Sequence, residues 1–503
     1  MNKSKENFRK VETRIPGFDS IAMGGLPLGR TTLVSGTSGS AKTVFSAQFL
    51  IEGIKKDKEG GVFVNFEESP EDIRKNLEGF GWDVEKWEKE GKWAFVDASP
   101  TPEQEAIEVG EYDLGALLAR VEHAISKVNA KRVSMDSIGS LFSQLKDTNT
   151  LRRELFRISK GLKKMGVTAI ITAERTEEYG KIARFGVEEF IADNVIVLRN
   201  VLEEEKRRRT IEILKFRGTL HQKGEWPFTV TNEGIVIIPL SSIELKQKSS
   251  IVRISSGIKE LDEMCSGGFF RDSIILASGA TGTGKTLLAN HFINGGISKG
   301  KKSLLFAFEE SREQLFRNAN GWGIDFEKME QKGTLKVICK YPEVAGLEEH
   351  LIEMKKVIED FKPTRIVVDS LSALARVSTG RSFREFVIAL TSFIKLKETT
   401  GFFTSTTPTL MGGTSIMETP ISTITDSIIL LRYVEKNNEV LRGLTVLKMR
   451  GSAHDKQIRE ILIDKKGLHI GKAFVNVAGI ISGDSVQISA GETNPISSSF
   501  KGK

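Results

Sequence analysis

The octapeptide Gly279-Ala-Thr-Gly-Thr-Gly-Lys-Thr286 has the residue types and spacing of a phosphate-binding loop, GxxxxGK[ST]. Gly279, Gly282 and Gly284, with Thr281 and Thr283 between them, let the backbone curl so that successive N–H groups face an anion. Lys285 would reach the β- and γ-phosphates of a nucleotide, and the Thr286 hydroxyl would hold Mg²⁺. The apolar run Ser273-Ile-Ile-Leu-Ala277 predicts a strand before the loop. Leu287-Leu-Ala-Asn-His-Phe-Ile293 predicts a helix after it, which adds the positive end of its dipole. A second loop of this kind, Gly36-Thr37-Ser38-Gly39-Ser40-Ala41-Lys42-Thr43, comes after Thr32-Leu-Val-Ser35. Ala41 replaces its last glycine, a substitution expected to require negative φ at that residue.

Acidic residues stand where such loops need them. Asp136 and Asp369 end the runs Arg132-Val-Ser-Met-Asp136 and Arg365-Ile-Val-Val-Asp369. A carboxylate at that place organises the Mg²⁺ shell in phosphate-loop enzymes, although Asp-Ser is also a good helix-capping pair. Glu67-Glu68 and Glu309-Glu310 end Val62-Phe-Val-Asn-Phe66 and Leu304-Leu-Phe-Ala-Phe308. Either member could orient or deprotonate a water or hydroxyl, and two neighbours would raise one another's pKa. A solvated acidic pair at a helix start would need no function. Lys215-Phe-Arg217-Gly218 with His221 and Lys223, and Lys448-Met-Arg450-Gly451 with His454 and Lys456, put two cations on one strand face. That suits a phosphate clamp, but spacing does not say whose nucleotide it would serve.

These pairs are members of one internal repeat. Lys42 and Lys285 lie 243 residues apart, Glu67 and Glu309 242, and Asp136 and Asp369, like Lys215 and Lys448, 233. Order is kept and the offset drifts by short deletions, which is a tandem duplication. Each copy alternates apolar strand runs with amphipathic stretches such as Leu151–Lys164, whose apolar positions are 151, 155, 158 and 162. The expected fold is α/β: tandem phosphate-loop domains, each a mostly parallel twisted sheet flanked by helices. The boundaries read as 1–244, 245–482 and a Ser/Gly-rich tail, 483–503, disordered at its end. The chain has 503 residues, 39% hydrophobic and 28% charged, without an apolar run near the roughly 20 residues of a membrane span. The first ten residues lack the apolar segment of a signal peptide. Two cysteines are too few for a disulfide framework, so a cytoplasmic protein is expected. A net charge of +7 permits nucleic-acid binding without requiring it. The basic cluster Lys206-Arg-Arg-Arg209, preceded by Glu203-Glu-Glu205, reads as a mixed-charge hairpin tip.

The copies differ at one informative place. Glu189 and Phe190 of the first fall on Ser422 and Thr423 of the second, which Thr419 and Thr425 flank. Read alone, a Ser-Thr pair is ordinary loop chemistry. The paired loops, however, occur with FEES and FEESREQL, MDS and VDSLSALAR, AERTEEYG, KFRGTLHQKGEWPF, ISTITDSIILLRYVE and KMRGSAHDKQIRE. In these strings, from about Arg14 to Ser482, the chain resembles the KaiC family of circadian clock proteins.

The resemblance implies a double RecA-like ATPase in hexameric two-tiered rings with ATP between subunits. It implies slow hydrolysis in the first domain, with Glu67 as catalytic glutamate. In the second it implies transfer of the γ-phosphate to Ser422 and Thr423 across the subunit interface, with Glu309 as base, and an autophosphatase potential. The implied Mg²⁺ ligands are Thr43 and Asp136, then Thr286, Glu309 and Asp369. Lys215 and Arg217, with Gly218 and His221, and Lys448 and Arg450, with Gly451, would reach the neighbour's nucleotide. Trp322 would lie beside the second-domain adenine. A KaiB-like partner on the first-domain ring is expected. The tail does not match the KaiA-binding tail, which leaves KaiA dependence open, although Ile480-Ile-Ser-Gly483 keeps a core like the family's regulatory loop. Met417 stands where a hydroxyl is usual, so no phosphate shuttling is expected there, and Ala453 replaces a usual tryptophan. The competing reading is a RecA- or helicase-type DNA-dependent ATPase. Against it, the chain shows no aromatic–basic platform for single strands, and a motor has no need of the Ser-Thr pair.

Overall fold

Apolar runs without alternation are the mark of parallel strands covered on both faces. Thr31–Gly36, Gly60–Asn65, Ile274–Gly279 and Ser303–Ala307 are buried at every position. The structure, a computed structural model, describes residues 9–99, 114–139, 148–184, 192–203, 205–239, 249–407, 420–465, 467–475, 477–478 and 486–487. Glu189, Phe190, Met417, Thr419, the Ile480–Gly483 core and the Ser/Gly-rich stretch of the tail lie outside them, and of Ser422 only the backbone is described. The chain divides into two compact units, Met1–Ser242 and Ile243–Lys503.

Each unit contains one nine-stranded sheet, and the two sheets have the same strand order. In the first unit the order across the sheet is Trp93–Asp97, Gly60–Asn65, Ala130–Asp136, Thr168–Glu174, Thr31–Gly36, Asn194–Glu203, Lys206–Phe216, Glu225–Thr231 and Gly234–Ile237. In the second it is Leu335–Cys339, Ser303–Ala307, Arg365–Asp369, Thr400–Thr406, Ile274–Gly279, Ser427–Lys436, Glu439–Met449, Arg459–Asp464 and Gly467–Ala473. The first six strands of each series are parallel and the remainder antiparallel. These are duplicated α/β domains, as the repeat implies, and RecA-like, as the resemblance implies. The loop-bearing strand lies inside the sheet, so each phosphate loop opens at the carboxyl ends of the neighbouring strands, where ligands of open α/β sheets bind.

Helices cover the sheets as the periodicity predicts. Leu151, Leu155, Ile158 and Leu162 of the helix Thr148–Lys164 are all buried. Lys206–Arg209 begins the second strand of an antiparallel hairpin with Asn194–Glu203, consistent with a hairpin tip. Among the described residues no helix is long and apolar enough to cross a membrane.

The helix after each loop is braced against the sheet's last strand in two ways. In the first domain Gln48 accepts from the Ile235 backbone N–H at 2.7 Å and donates to the Ile235 carbonyl at 3.3 Å. In the second, His291 occupies the corresponding place and its Nε2 accepts from the Leu468 N–H at 2.9 Å. Burial, and then His469, which pairs with Asp464, hold the His291 pKa below its ordinary value. The unfolded chain therefore binds more protons than the folded one just below pH 6.5, and the brace loses stability as pH falls through that range. Thermal melting of the full chain between pH 7.5 and 5.5 should show a falling second-domain transition. His291→Gln, which copies the first domain's amide, should flatten that dependence.

Candidate phosphate-loop sites

Both loops join a buried strand to a helix: Thr31–Gly36 to Lys42–Glu52, and Ile274–Gly279 to Lys285–Ile297. Lys42 Nζ donates to the Thr37 carbonyl at 2.9 Å and Lys285 Nζ to the Ala280 carbonyl at 2.8 Å. Ser40 and Thr283 hydroxyls donate to the same two carbonyls at 2.7 and 2.8 Å. A Cβ at Gly279 would lie 2.3 Å from the Leu431 carbonyl oxygen, so no larger residue fits there without movement. Gly282 and Gly284 have φ of 80° and 104°. The expectation for Ala41 is overturned: its φ is 69°, in the left-handed region. The helix entry requires the curl that Gly284 supplies, and an alanine forced into it costs on the order of 1 kcal/mol or more.

Around each lysine stand the predicted acids. Loss of water around the Asp136 carboxylate pushes its pKa up, against hydrogen bonds from Thr172 and Thr43 and the charge of Lys42. Asp369 is raised for the same reason and is held by Thr404, Thr286 and Lys285. The Asp136–Ser137 and Asp369–Ser370 peptide bonds are both cis. Glu67 faces this group: desolvation, Glu174 and Asp136 raise its pKa, while Ser137, 3.4 Å away, and Lys42 lower it. Glu309 accepts from Ser370 Oγ at 2.8 Å and from Arg376 Nη2 at 2.7 Å.

The second glutamates take other hydrogen-bond partners. Glu68 accepts from Asn76 Nδ2 at 3.1 Å, and Glu310 bonds Asn318, the corresponding residue. Desolvation and Asp369 raise Glu310, with Glu309 a lesser cause. The neighbour expected from the sequence to raise each glutamate does so at Glu310, whereas Glu67 is raised by desolvation, Glu174 and Asp136.

The Lys-x-Arg pairs are not beside their own loops. Lys215 pairs in register with Val195, and Lys448 with Ile428, near the beginning of strands whose far ends flank the loops. Lys448 Nζ donates to the Thr425 carbonyl at 2.9 Å and Arg450 Nη2 to the Thr423 carbonyl at 2.6 Å. In the first domain Lys215 Nζ donates to the Ala192 carbonyl at 3.0 Å, and the Arg217 guanidinium lies 3.8 Å from Asp193. Gly218 and Gly451 turn the chain immediately after, at φ of 78° and 70°. His221 packs edge-on against Phe216, with ring centroids 5.5 Å apart. The short helix Pro420–Thr423 carries exposed Thr423 and is followed, after Ile424 and Thr425, by Asp426 and the strand Ser427–Lys436. Ser427 pairs with Ile275, four residues before Gly279, so roughly 13 Å of strand separates that helix's end of the sheet from the loop. Trp322 is half-buried, at the end of the helix Arg312–Gly321.

Several residues at the sites take no role from the sequence, although Glu174, Glu178, Arg376 and Tyr433 fall within the strings that carry the resemblance. Arg209 Nε donates to the Gly39 carbonyl at 3.2 Å and Arg442 Nε to that of Gly282 at 3.1 Å. Tyr433 Oη donates to the Thr281 carbonyl at 3.1 Å. Thr172 and Thr404, Glu174, Glu178 and Arg376 complete the set. The repeat offset could have exposed the first pair, since Arg209 and Arg442 are 233 residues apart. Glu174 and Glu178 have no such signal: the register position of Glu174 belongs to Thr406 in the second domain.

A family model described as "ATPase: KaiC" matches residues 11–242 and again 254–474. The chain is 62% identical over 504 residues to a protein named circadian clock protein KaiC3 from Synechocystis sp., covering 100% of both. It is 56% identical over 499 residues to the circadian clock oscillator protein KaiC of Thermostichus vulcanus, covering 99% of this chain and 96% of the relative. With the protein of that name from Synechococcus elongatus it shares 55% over 501 residues, 100% and 96% of the two chains.

Proposed function

The chain belongs to the KaiC family of ATPases, and from that premise we propose that it is an ATP-dependent serine/threonine autokinase and slow ATPase serving a clock or timing function. The first domain hydrolyses ATP. The second passes the γ-phosphate of ATP bound at Gly279–Thr286 to Ser422 or Thr423 of a neighbouring copy. The observation that carries this reading is the placement of the short helix Pro420–Thr423 at the opposite end of the sheet from its own loop, with Arg450 on the Thr423 carbonyl. A ring of copies brings one chain's acceptor and clamp to the next chain's loop, and a homohexamer is the form we propose.

In the second domain Glu309 takes the acceptor's proton as the hydroxyl oxygen bonds to phosphorus, the bond to the β-phosphate oxygen breaks, and ADP leaves. Lys285 and the backbone N–H groups of the loop hold the β- and γ-phosphates, while Lys448 and Arg450 meet the neighbour's. In the first domain Glu67 orients water instead. Lys215 and Arg217, with Gly218 and His221, would meet the neighbour's nucleotide there, and Trp322 would flank the second-domain adenine. Mg²⁺ fits the donor set: Thr43 with Asp136, and Thr286 with Asp369 and Glu309, offer only hard oxygens around a carboxylate whose charge solvent no longer compensates. Bound there, the ion would neutralise charge on the phosphates. Among the described residues no three His, Cys, Asp or Glu side chains form a metal cluster alone, so phosphate oxygens and water would complete its shell. A KaiB-like partner on the first domain and a cytoplasmic setting belong to this reading.

Intact-mass analysis after incubation with Mg-ATP tests it. The expected result is a gain of one or two phosphates, mapped to Ser422 and Thr423. No phosphate under any nucleotide condition would remove the autokinase, and a many-fold rise in ATP hydrolysis on adding DNA would favour the motor.

A further inference from the structure

The loop after the strand Thr168–Glu174 carries a carboxylate that the proposed chemistry does not use. We infer that Glu178 is a positioning residue for the first phosphate loop, holding Thr37 so that Lys42 and the strained Ala41 keep their places. The inference rests on the reading that the first domain binds ATP. Glu178 Oε1 accepts from Thr37 Oγ1 at 2.6 Å, and Oε2 accepts from the Asn200 backbone N–H at 3.0 Å. One carboxylate thus ties the loop to the adjacent strand Asn194–Glu203.

Thr37 is the residue on which the loop closes. Its carbonyl accepts from Lys42 Nζ, from Ser40 Oγ and, at 3.3 Å, from the Ser40 N–H. A displaced Thr37 would displace all three. The second domain has no equivalent device at this residue: Ala280 has no hydroxyl, and Tyr433, in the position of Asn200, reaches the Thr281 carbonyl instead. The difference has a physical reason. Gly284 adopts its left-handed backbone freely, whereas Ala41 at φ 69° holds that conformation only where its surroundings over-determine it. Glu178 also places negative charge within reach of Lys42, which opposes an incoming phosphate. The two effects predict opposite signs for its removal. Two charge-assisted hydrogen bonds that tie a strained loop to its neighbouring strand outweigh one further carboxylate among Glu67, Asp136 and Glu174 already facing that lysine.

The test uses the full chain with Lys285→Ala, so that remaining turnover and ATP binding report the first domain. Absence of both in that background would count against first-domain ATP binding itself and not against Glu178. Adding Glu178→Ala should weaken ATP, as KM and Kd, by roughly tenfold, with kcat changed less than about twofold. Glu178→Gln, which keeps size and one acceptor, should give a smaller loss of the same sign. Ala41→Gly should recover most of the Glu178→Ala loss, because glycine removes the strain that needs the tie. Thr37→Ala and Glu178→Ala should be non-additive, since each breaks the same bond. Unchanged or tighter ATP binding, a loss confined to kcat, or no recovery with Ala41→Gly would overturn the inference.

Discussion

Lys285→Ala is expected to leave Ser422 and Thr423 without phosphate, while Lys42→Ala retains part of the phosphorylation. The Lys285 ammonium rests on the Ala280 carbonyl inside the second loop, faced by Asp369 and Glu309. Its loss removes the positive charge that would meet the β- and γ-phosphates, and losses of about a hundredfold or more result from deleting such a group. The structure makes the expectation sharper. Because the acceptor helix and its own loop lie at opposite ends of one sheet, donor and acceptor should belong to different copies. Chains carrying Lys285→Ala, mixed with chains carrying Ser422→Ala and Thr423→Ala under conditions of subunit exchange, should regain phosphate on the Lys285→Ala chains. Intact mass distinguishes the two species. Phosphate only where loop and acceptor share a chain would refute transfer between copies.

The second large effect concerns the adjacent glutamates. Glu67→Gln should lower first-domain ATP hydrolysis by about 10²–10⁴-fold, the range for loss of a positioned base. Glu68→Gln should change it by less than about threefold, on the order of a surface substitution. The reason is direction. Glu67 faces Lys42, Asp136 and Glu174, whereas Glu68 is spent on Asn76. ADP release from the full chain with the second loop disabled by Lys285→Ala measures both. Equal losses would mean that the pair acts as a unit and that the division seen between their partners is irrelevant to hydrolysis.

What the amino-acid order determined by itself is the part of the protein that short-range chemistry demands. A phosphate loop needs glycines, a lysine and a hydroxyl within eight residues of a strand, and Gly36–Thr43 and Gly279–Thr286 carry nearly all of that locally. Asp136, Asp369, Glu67 and Glu309 could be read because they end apolar runs, and the duplication repeats each observation. The helix Thr148–Lys164 and the hairpin at Lys206–Arg209 were legible for the same reason, since periodicity and turn chemistry are local.

Tertiary structure decided everything that depends on register and direction. Lys448 is level with Ile428, 20 residues earlier in the chain, and only that pairing places the Lys-x-Arg pair beside Thr423 and away from its own loop. The same spacing shifted by one residue would turn every side chain to the opposite face. Nor does adjacency show that Glu67 and Glu68 face different partners, or that Ala41 adopts the backbone of a glycine. The Glu178 tie joins residues 141 positions apart, with no counterpart in the second domain's Ala280. Such contacts arise where separate strands bring their ends together, and no local pattern encodes them.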